Sequence, residues 1–122
     1  MLRALLTLAA LTGFEAVIFG AVSDHALSGA HAQLARTGAH YELTHALAVF
    51  ASVFVARLGG RGALAAGVLF LIGILLFSGS LYALAFGAPA LVAMATPIGG
   101  LAFLAGWLML ALACARLKLK ET

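Results

Sequence analysis

The chain has 122 residues, of which 65% are hydrophobic and only 9% are charged, with a formal net charge of +3. Ordinary soluble domains carry roughly 25% charged residues, so a soluble fold of this size is excluded and lipid must be the solvent for most of the chain. The length allows one integral membrane domain over residues 1–122, and the basic residues are too scattered for a nucleic-acid-binding face.

The first apolar segment covers residues 3–22, about the twenty residues that a membrane-spanning helix needs. Glu15 is the only charged residue between Ala4 and Val22. An alternative is a signal peptide, with Arg3 as its basic end and a cleavage site near residues 20–22. We favour a membrane span, because a carboxylate inside the apolar core is unusual for a signal peptide.

Residues 23–40 are too polar to span a membrane. Their alanine and leucine residues recur at a rough helical spacing, which predicts a short interfacial helix. Ser23 or Asp24 can cap its start, and Thr37-Gly38 is a plausible end. The second span then covers residues 41–57.

The region from Gly62 to Ala115 contains no charged residue and is long enough for two helices and a turn. Gly87-Ala88-Pro89 breaks it, and Pro97 suits the first turn of the next helix. The third and fourth spans are therefore residues 63–86 and 97–115. The predicted fold is all-α, a four-transmembrane-helix bundle with a short interfacial segment between helices 1 and 2.

Four spans place both termini on one side of the membrane. The basic residues on that side are Arg3, Arg57, Arg61, Arg116, Lys118 and Lys120, whereas the other side has only Arg36. The positive-inside rule then predicts cytoplasmic N- and C-termini.

This topology brings the polar side chains together in the outer half of the bilayer. The predicted polar cluster consists of Glu15, His25, Glu42, His45, Ser78 and Tyr82. A charged side chain in the middle of a span costs about 2.5–3.5 kcal/mol on insertion scales. Glu15 should therefore be protonated, paired or in contact with water, and His45, His40, Arg36 and Tyr82 are its possible partners.

Two functions for this cluster remain open. In the first, it is the packing or recognition centre of a structural or accessory membrane protein. In the second, Glu15 and His45 handle protons together with a small ligand or an ion, since histidine titrates near neutral pH and a buried glutamate can approach that range.

Enzymatic and metal-dependent functions have weaker support. Glu42-x-x-His45 has the spacing of a di-iron element, but such sites need two of these elements and two further glutamates. Ser78 or Ser80 with His45 and Glu15 would form a nucleophilic triad, yet hydroxyls in membrane helices more often bond the backbone. We predict no catalytic residue, no metal site and no cofactor.

Small residues recur every four positions at Gly79, Ala83 and Gly87, and again at Ala102 and Gly106. This spacing favours close helix packing in lipid, within the chain or between chains. The expected partners are the lipid bilayer and either further copies of the chain or a larger membrane complex.

Two stretches of the third and fourth spans resemble a known family. These are Phe77-Ser78-Gly79-Ser80-Leu81-Tyr82 and the segment from Thr96-Pro97-Ile98-Gly99-Gly100 to Trp107. They are similar to the signature of the domain-of-unknown-function 423 family, small bacterial four-span proteins that are themselves similar to the animal transmembrane-protein-256 group. The resemblance extends to His25 and to Tyr41 with His45-Ala46-Leu47-Ala48.

The resemblance implies a bacterial inner-membrane protein without an established activity, cofactor or catalytic residue. The family usually reads Gly-Ala-His where this chain has Ser23-Asp24-His25, and Glu15 and Glu42 also differ from the usual residues. Any role of these two glutamates is therefore an interpretation of this chain alone.

Overall fold

The structure is a computed structural model that describes residues 1–118, so Lys120 of the predicted basic side lies outside the described residues. Within this range the regular structure is entirely helical, and four helical segments are long and apolar enough to cross a membrane. The predicted all-α fold with four spans is confirmed. The elements are α1 (Leu2–His25), α2 (Gly29–Arg57), α3 (Ala63–Gly73), a π-helical turn (Ile74–Ser78), α4 (Gly79–Ala85), a 3-10 turn (Ala90–Met94) and α5 (Ala95–Ala115).

The third span, Ala63–Ala85, runs continuously through α3, the π-helical turn and α4. It packs against both α2 and α5, while α1 packs mainly along α2 and also contacts the third span. Met1 lies beside Leu64 and Ala65 at the start of α3, so the N-terminus and the α2–α3 connection share one end of the bundle.

The core is apolar and built largely from small residues around a few large ones. Phe70 and Val49 are fully buried at its centre, with Leu5 and Leu110 nearby. Many large apolar side chains, among them Phe14 and Leu104, are exposed on the outside of the bundle. Such a surface is suited to lipid rather than to water.

Helix α2 is longer than the second span expected from the sequence. It begins at Gly29, and the chain between α1 and α2 is only the short stretch 26–28. The predicted interfacial helix is thus the first part of α2, and the helix does not end at Thr37-Gly38. The reason is that small residues face the bundle there at helical spacing, so a partly polar segment still packs; these are Ala32, Ala35, Gly38 and Ala39.

Two glycines allow aromatic rings to lie directly on a helix backbone. A Cβ atom at Gly38 would lie 2.7 Å from Cε1 of Tyr82, and one at Gly106 would lie 2.7 Å from Cε1 of Phe70. Gly38 lies inside a helix, and its lack of a side chain leaves the space that the ring of Tyr82 occupies. Gly79, in contrast, has no heavy atom within 4 Å of such a Cβ, so its place in the small-residue pattern does not serve packing within the described chain.

The connection between α4 and α5 follows the predicted break. Helix α4 ends at Ala85, and Gly87 adopts a φ of 91°, which favours glycine. The 3-10 turn then leads into α5, and Pro97 lies in the first turn of that helix, where its missing N–H costs nothing.

Candidate functional site

Glu42 of α2 and Tyr82 of α4 form a buried polar pair between two spans. The Tyr82 hydroxyl donates a hydrogen bond to Oε2 of Glu42 at 2.5 Å. Glu42 is 1% exposed and Tyr82 is 6% exposed. Beside them, the Ser78 hydroxyl donates to the Gly38 carbonyl oxygen at 2.7 Å. Gly38 and Glu42 lie one turn apart on α2, as Ser78 and Tyr82 do on the third span. The two hydrogen bonds therefore cross the same interface between these spans.

The ring of Tyr82 is confined by two other helices. Phe19 of α1 stacks on it with ring centroids 3.8 Å apart and planes 11° apart, and Gly38 of α2 lies close against the ring. Because the ring cannot turn without moving one of these neighbours, the hydroxyl is fixed on Glu42. Three spans therefore contribute to the orientation of one hydrogen bond.

Glu15 lies on α1, one turn before Phe19, and lines the same cavity as Glu42 and Tyr82. The cavity has a volume of about 380 Å³. Apart from these three residues its wall is mostly aliphatic; the other lining residues are Leu8, Thr12, Val68, Leu71, Ile72, Ile74, Leu75 and Gly79. Glu15 itself is exposed. We call Glu15, Glu42, Tyr82 and this cavity the carboxylate site.

His45 points away from the carboxylate site, towards α5. Its imidazole stacks on Phe103 with centroids 3.5 Å apart and planes 7° apart. The indole Nε1–H of Trp107 donates to Nε2 of His45 at 3.0 Å, and Nδ1 of His45 lies 2.6 Å from the Tyr41 carbonyl oxygen. We call His45, Phe103 and Trp107 the histidine stack.

These contacts define the state of the imidazole. An indole N–H can only donate, so Nε2 of His45 must accept and carries no proton. The Nδ1–H then donates to the Tyr41 carbonyl. The ring is a neutral imidazole with both nitrogens bonded, which is the arrangement expected of a structural group rather than of a proton carrier.

The six predicted cluster residues thus fall into three places. Glu15, Glu42, Tyr82 and the neighbouring Ser78 lie together, His45 belongs to the histidine stack, and His25 is exposed at the end of α1. Of the partners considered for Glu15, Tyr82 shares its cavity, while Arg36 is bound to Asp24 at 2.7 Å.

Several other polar groups are hydrogen-bonded to the backbone or to one another. His31 Nδ1 lies 2.7 Å from the Ala85 carbonyl oxygen, which joins the start of α2 to the end of α4. The Ser80 hydroxyl bonds the Phe77 carbonyl and lies 2.7 Å from the Thr96 hydroxyl. Across residues 1–118 no three histidine, cysteine or acidic side chains converge as metal ligands would. Ser78 and Ser80 are likewise not aligned on His45, since both serve helix contacts.

The sequence did not indicate the aromatic partners. Phe19 and Phe103 have no signal that separates them from other apolar residues of a span. Trp107, interpreted as a packing or interfacial aromatic, carries an indole N–H that needs an acceptor when it lies in an apolar span, and that requirement pointed to a polar partner.

Comparison with known proteins gives a consistent result. Residues 19–100 match the family described as "Protein of unknown function (DUF423)". A UPF0382 membrane protein of Haemophilus influenzae is 46% identical over 87% of this chain and 89% of its own length. UPF0382 membrane protein YwdK of Bacillus subtilis is 36% identical, covering 94% and 98%, and UPF0382 inner membrane protein YgdD of Escherichia coli K12 is 37% identical, covering 97% and 94%. No solved structure matches the chain.

Proposed function

We propose that this chain, which belongs to the DUF423 family of membrane proteins, is a non-catalytic accessory subunit that receives another membrane component at its carboxylate site. In this account the histidine stack holds the α2–α5 side of the bundle together. The carboxylate site, on the α1 side of α2, is the part available for recognition. The proposal refines the predicted packing or recognition centre by assigning packing to one part and recognition to the other.

The observation that carries the proposal is the position of Glu15. It is an exposed carboxyl group on an otherwise apolar stretch of α1, and it lines a cavity together with the buried Glu42. Ionisable groups within membrane spans are costly and are by default associated with a function.

Photo-crosslinking in native membranes tests this proposal. A diazirine amino acid of leucine-like length is placed at Leu75, which lines the cavity, or at Leu47, which is similarly exposed but lies outside it. We expect an adduct of defined mass at position 75 and not at position 47. The same adduct should be lost when Glu15→Gln is combined with the probe at position 75.

The mass of the adduct identifies its class, a polypeptide, a lipid or a small molecule. Equal labelling at positions 75 and 47, or labelling at 75 that is unchanged by Glu15→Gln, would contradict a recognition role. A polypeptide with the mass of this chain would identify a homo-oligomer as the partner.

We also propose that the chain lies in the bacterial inner membrane with both termini in the cytoplasm. The support is the distribution of basic residues, with Arg57 and Arg61 beside the α2–α3 connection and Arg116 after α5, against Arg36 alone at the other end. Cysteine labelling of intact cells tests the orientation, with Cys114 replaced by Ala. An impermeant maleimide should label Ser28→Cys and not Arg61→Cys; the reverse pattern would overturn it.

The second function predicted from the sequence, proton-linked handling of a small ligand, is favoured by one observation. The cavity of about 380 Å³ falls in the roughly 300–1,000 Å³ range of small-molecule pockets and is too small for a helix. The histidine stack leaves His45 without a free nitrogen, so any proton linkage would involve Glu15 and Glu42 instead of the predicted Glu15 and His45.

A further inference from the structure

The wall of the carboxylate site restricts the size and polarity of what can enter. Its aliphatic residues come from α1 and from the third span, and Leu75 and Ile72 are exposed at its mouth. The opening therefore faces the hydrocarbon of the bilayer. A molecule that enters from there must carry a hydrocarbon body that packs against these side chains.

Apart from the carboxyl groups of Glu15 and Glu42, the site has no free hydrogen-bond donor. The hydroxyl of Tyr82 is already used on Glu42, and the hydroxyl of Thr12 donates to the Ala9 carbonyl oxygen at 3.0 Å. What remains are the carboxyl oxygens of Glu15 and Glu42. An ionised carboxylate can only accept, so a group that binds to these oxygens in place of the proton must donate hydrogen bonds and cannot be an anion.

The site also lacks a positive charge. Within residues 1–118 the ion pair that the structure contains is Asp24–Arg36, so neither Glu15 nor Glu42 has a cationic partner there. Glu42 is 1% exposed. An ionised carboxylate buried as deeply as Glu42 in apolar surroundings loses its hydration, so this group keeps its proton unless a cation enters.

We propose that the carboxylate site binds a lipophilic amine in its protonated form, an ammonium group attached to a hydrocarbon body, in exchange for a proton. The ammonium N–H groups donate to the carboxylates of Glu15 and Glu42, and the hydrocarbon lies along Leu75 and the other aliphatic residues. One carboxyl group releases its proton to water as the ammonium takes its place, so charge is conserved within the membrane. The inference rests on the proposed function, because it names what the recognition site receives.

The groups that face the exchanging proton come from three elements. They are Glu15 of α1, Glu42 of α2 and Tyr82 of α4, and α5 contributes no residue to the cavity wall within the described chain. At acidic pH the amine must compete with protons for the buried carboxyl group of Glu42. Binding should therefore strengthen as pH rises from mildly acidic to neutral, where an alkylamine with a pKa of about 10.4 is still protonated.

Equilibrium dialysis with the full chain in phosphatidylcholine nanodiscs tests this inference. The probe is 4-phenylbutylamine, and the matched neutral probe is 4-phenylbutan-1-ol. We expect saturable binding of about one amine per chain, while the alcohol only partitions as it does into empty nanodiscs. In weakly buffered solution an indicator dye should report about one proton released for each amine bound.

Two pairs of variants locate the binding. Glu15→Gln should weaken amine binding by about tenfold or more, because a charge-assisted hydrogen bond is lost, and proton release at a fixed amine concentration should fall with it. Leu75→Trp should block the cavity, whereas Leu47→Trp, equally bulky but outside it, should bind the amine as the wild type does. Circular dichroism verifies that each variant retains the helical fold.

The inference is overturned if the amine shows no saturable binding, if the alcohol binds equally well, or if Glu15→Gln binds the amine like the wild type. Amine binding that fails while the adduct at position 75 persists removes this inference and leaves the recognition function standing. The loss of both removes both.

Discussion

Glu42 and His45 lie three residues apart on α2 and are almost equally buried, at 1% and 4% exposure, yet their surroundings differ. His45 faces α5, where Trp107 and the Tyr41 carbonyl satisfy both ring nitrogens and Phe103 covers one face. Glu42 faces α1 and α4, where Tyr82 satisfies one oxygen and a cavity containing Glu15 lies beside it.

The difference shows that burial alone does not distinguish a structural polar group from a functional one. A buried polar group whose bonds are all made stabilises and orients the fold, whereas one beside an open cavity can still gain a partner. By that criterion the histidine stack is structural and the carboxylate site is available for binding.

Removal of the imidazole should have the largest effect on stability. His45→Ala leaves a cavity against Phe103 and removes the acceptor of the Trp107 indole, so we expect a loss of about 3 kcal/mol in the free energy of unfolding. Reversible unfolding in SDS–detergent mixtures, followed by circular dichroism, measures it. His40→Ala, an exposed histidine on the same helix, is the control and should change the free energy by no more than about 0.5 kcal/mol. Equal losses in the two variants would show that the stack does not stabilise the bundle.

The close packing of Phe19 and Gly38 around Tyr82 should have the next largest effect on stability. Gly38→Ala places a methyl group 2.7 Å from Cε1 of a ring that Phe19 already confines. Overpacking of this kind costs about 2 kcal/mol. Gly13→Ala is the matched control, because no heavy atom lies within 4 Å of the added Cβ, and alanine should stabilise the helix by up to about 1 kcal/mol. The same unfolding assay should therefore give opposite signs, and a stabilised Gly38→Ala would refute the close packing.

The hydrogen bond of Tyr82 should contribute less to the free energy of unfolding than the packing of its ring does. Tyr82→Phe keeps the stacking on Phe19 and removes only the donor to Glu42, so we expect a loss of about 1 kcal/mol. Tyr41→Phe serves as the control, since Tyr41 is 40% exposed; its effect should stay within about 0.5 kcal/mol. A Tyr82→Phe variant as stable as the control would mean that Glu42 does not depend on the phenol.

Much of this architecture can be predicted because the length of each apolar segment and the positions of the charged residues are read directly from the sequence. The four spans, the break at Gly87 and the proximity of Glu42 to Ser78 and Tyr82 follow from them. The separation of His45 from Glu42 does not, because residues three apart on a helix share a broad face and only the neighbouring spans decide where each points. Thr37-Gly38 was predicted as a helix end for a similar reason. The place of Gly38 inside α2 depends on the ring of Tyr82, which comes from another span.

The histidine stack stabilises the bundle, whereas the carboxylate site is free to bind a partner. The most direct test is to measure the free energy of unfolding of His45→Gln and Glu15→Gln side by side in the same SDS–detergent mixtures. His45→Gln should lose at least about 1.5 kcal/mol with the ring stacking and the bond from Trp107. Glu15→Gln should remain within about 0.5 kcal/mol of the wild type, because Glu15 is an exposed side chain. A loss in Glu15→Gln as large as that in His45→Gln would contradict the claim, since Glu15 would then hold the bundle together as well.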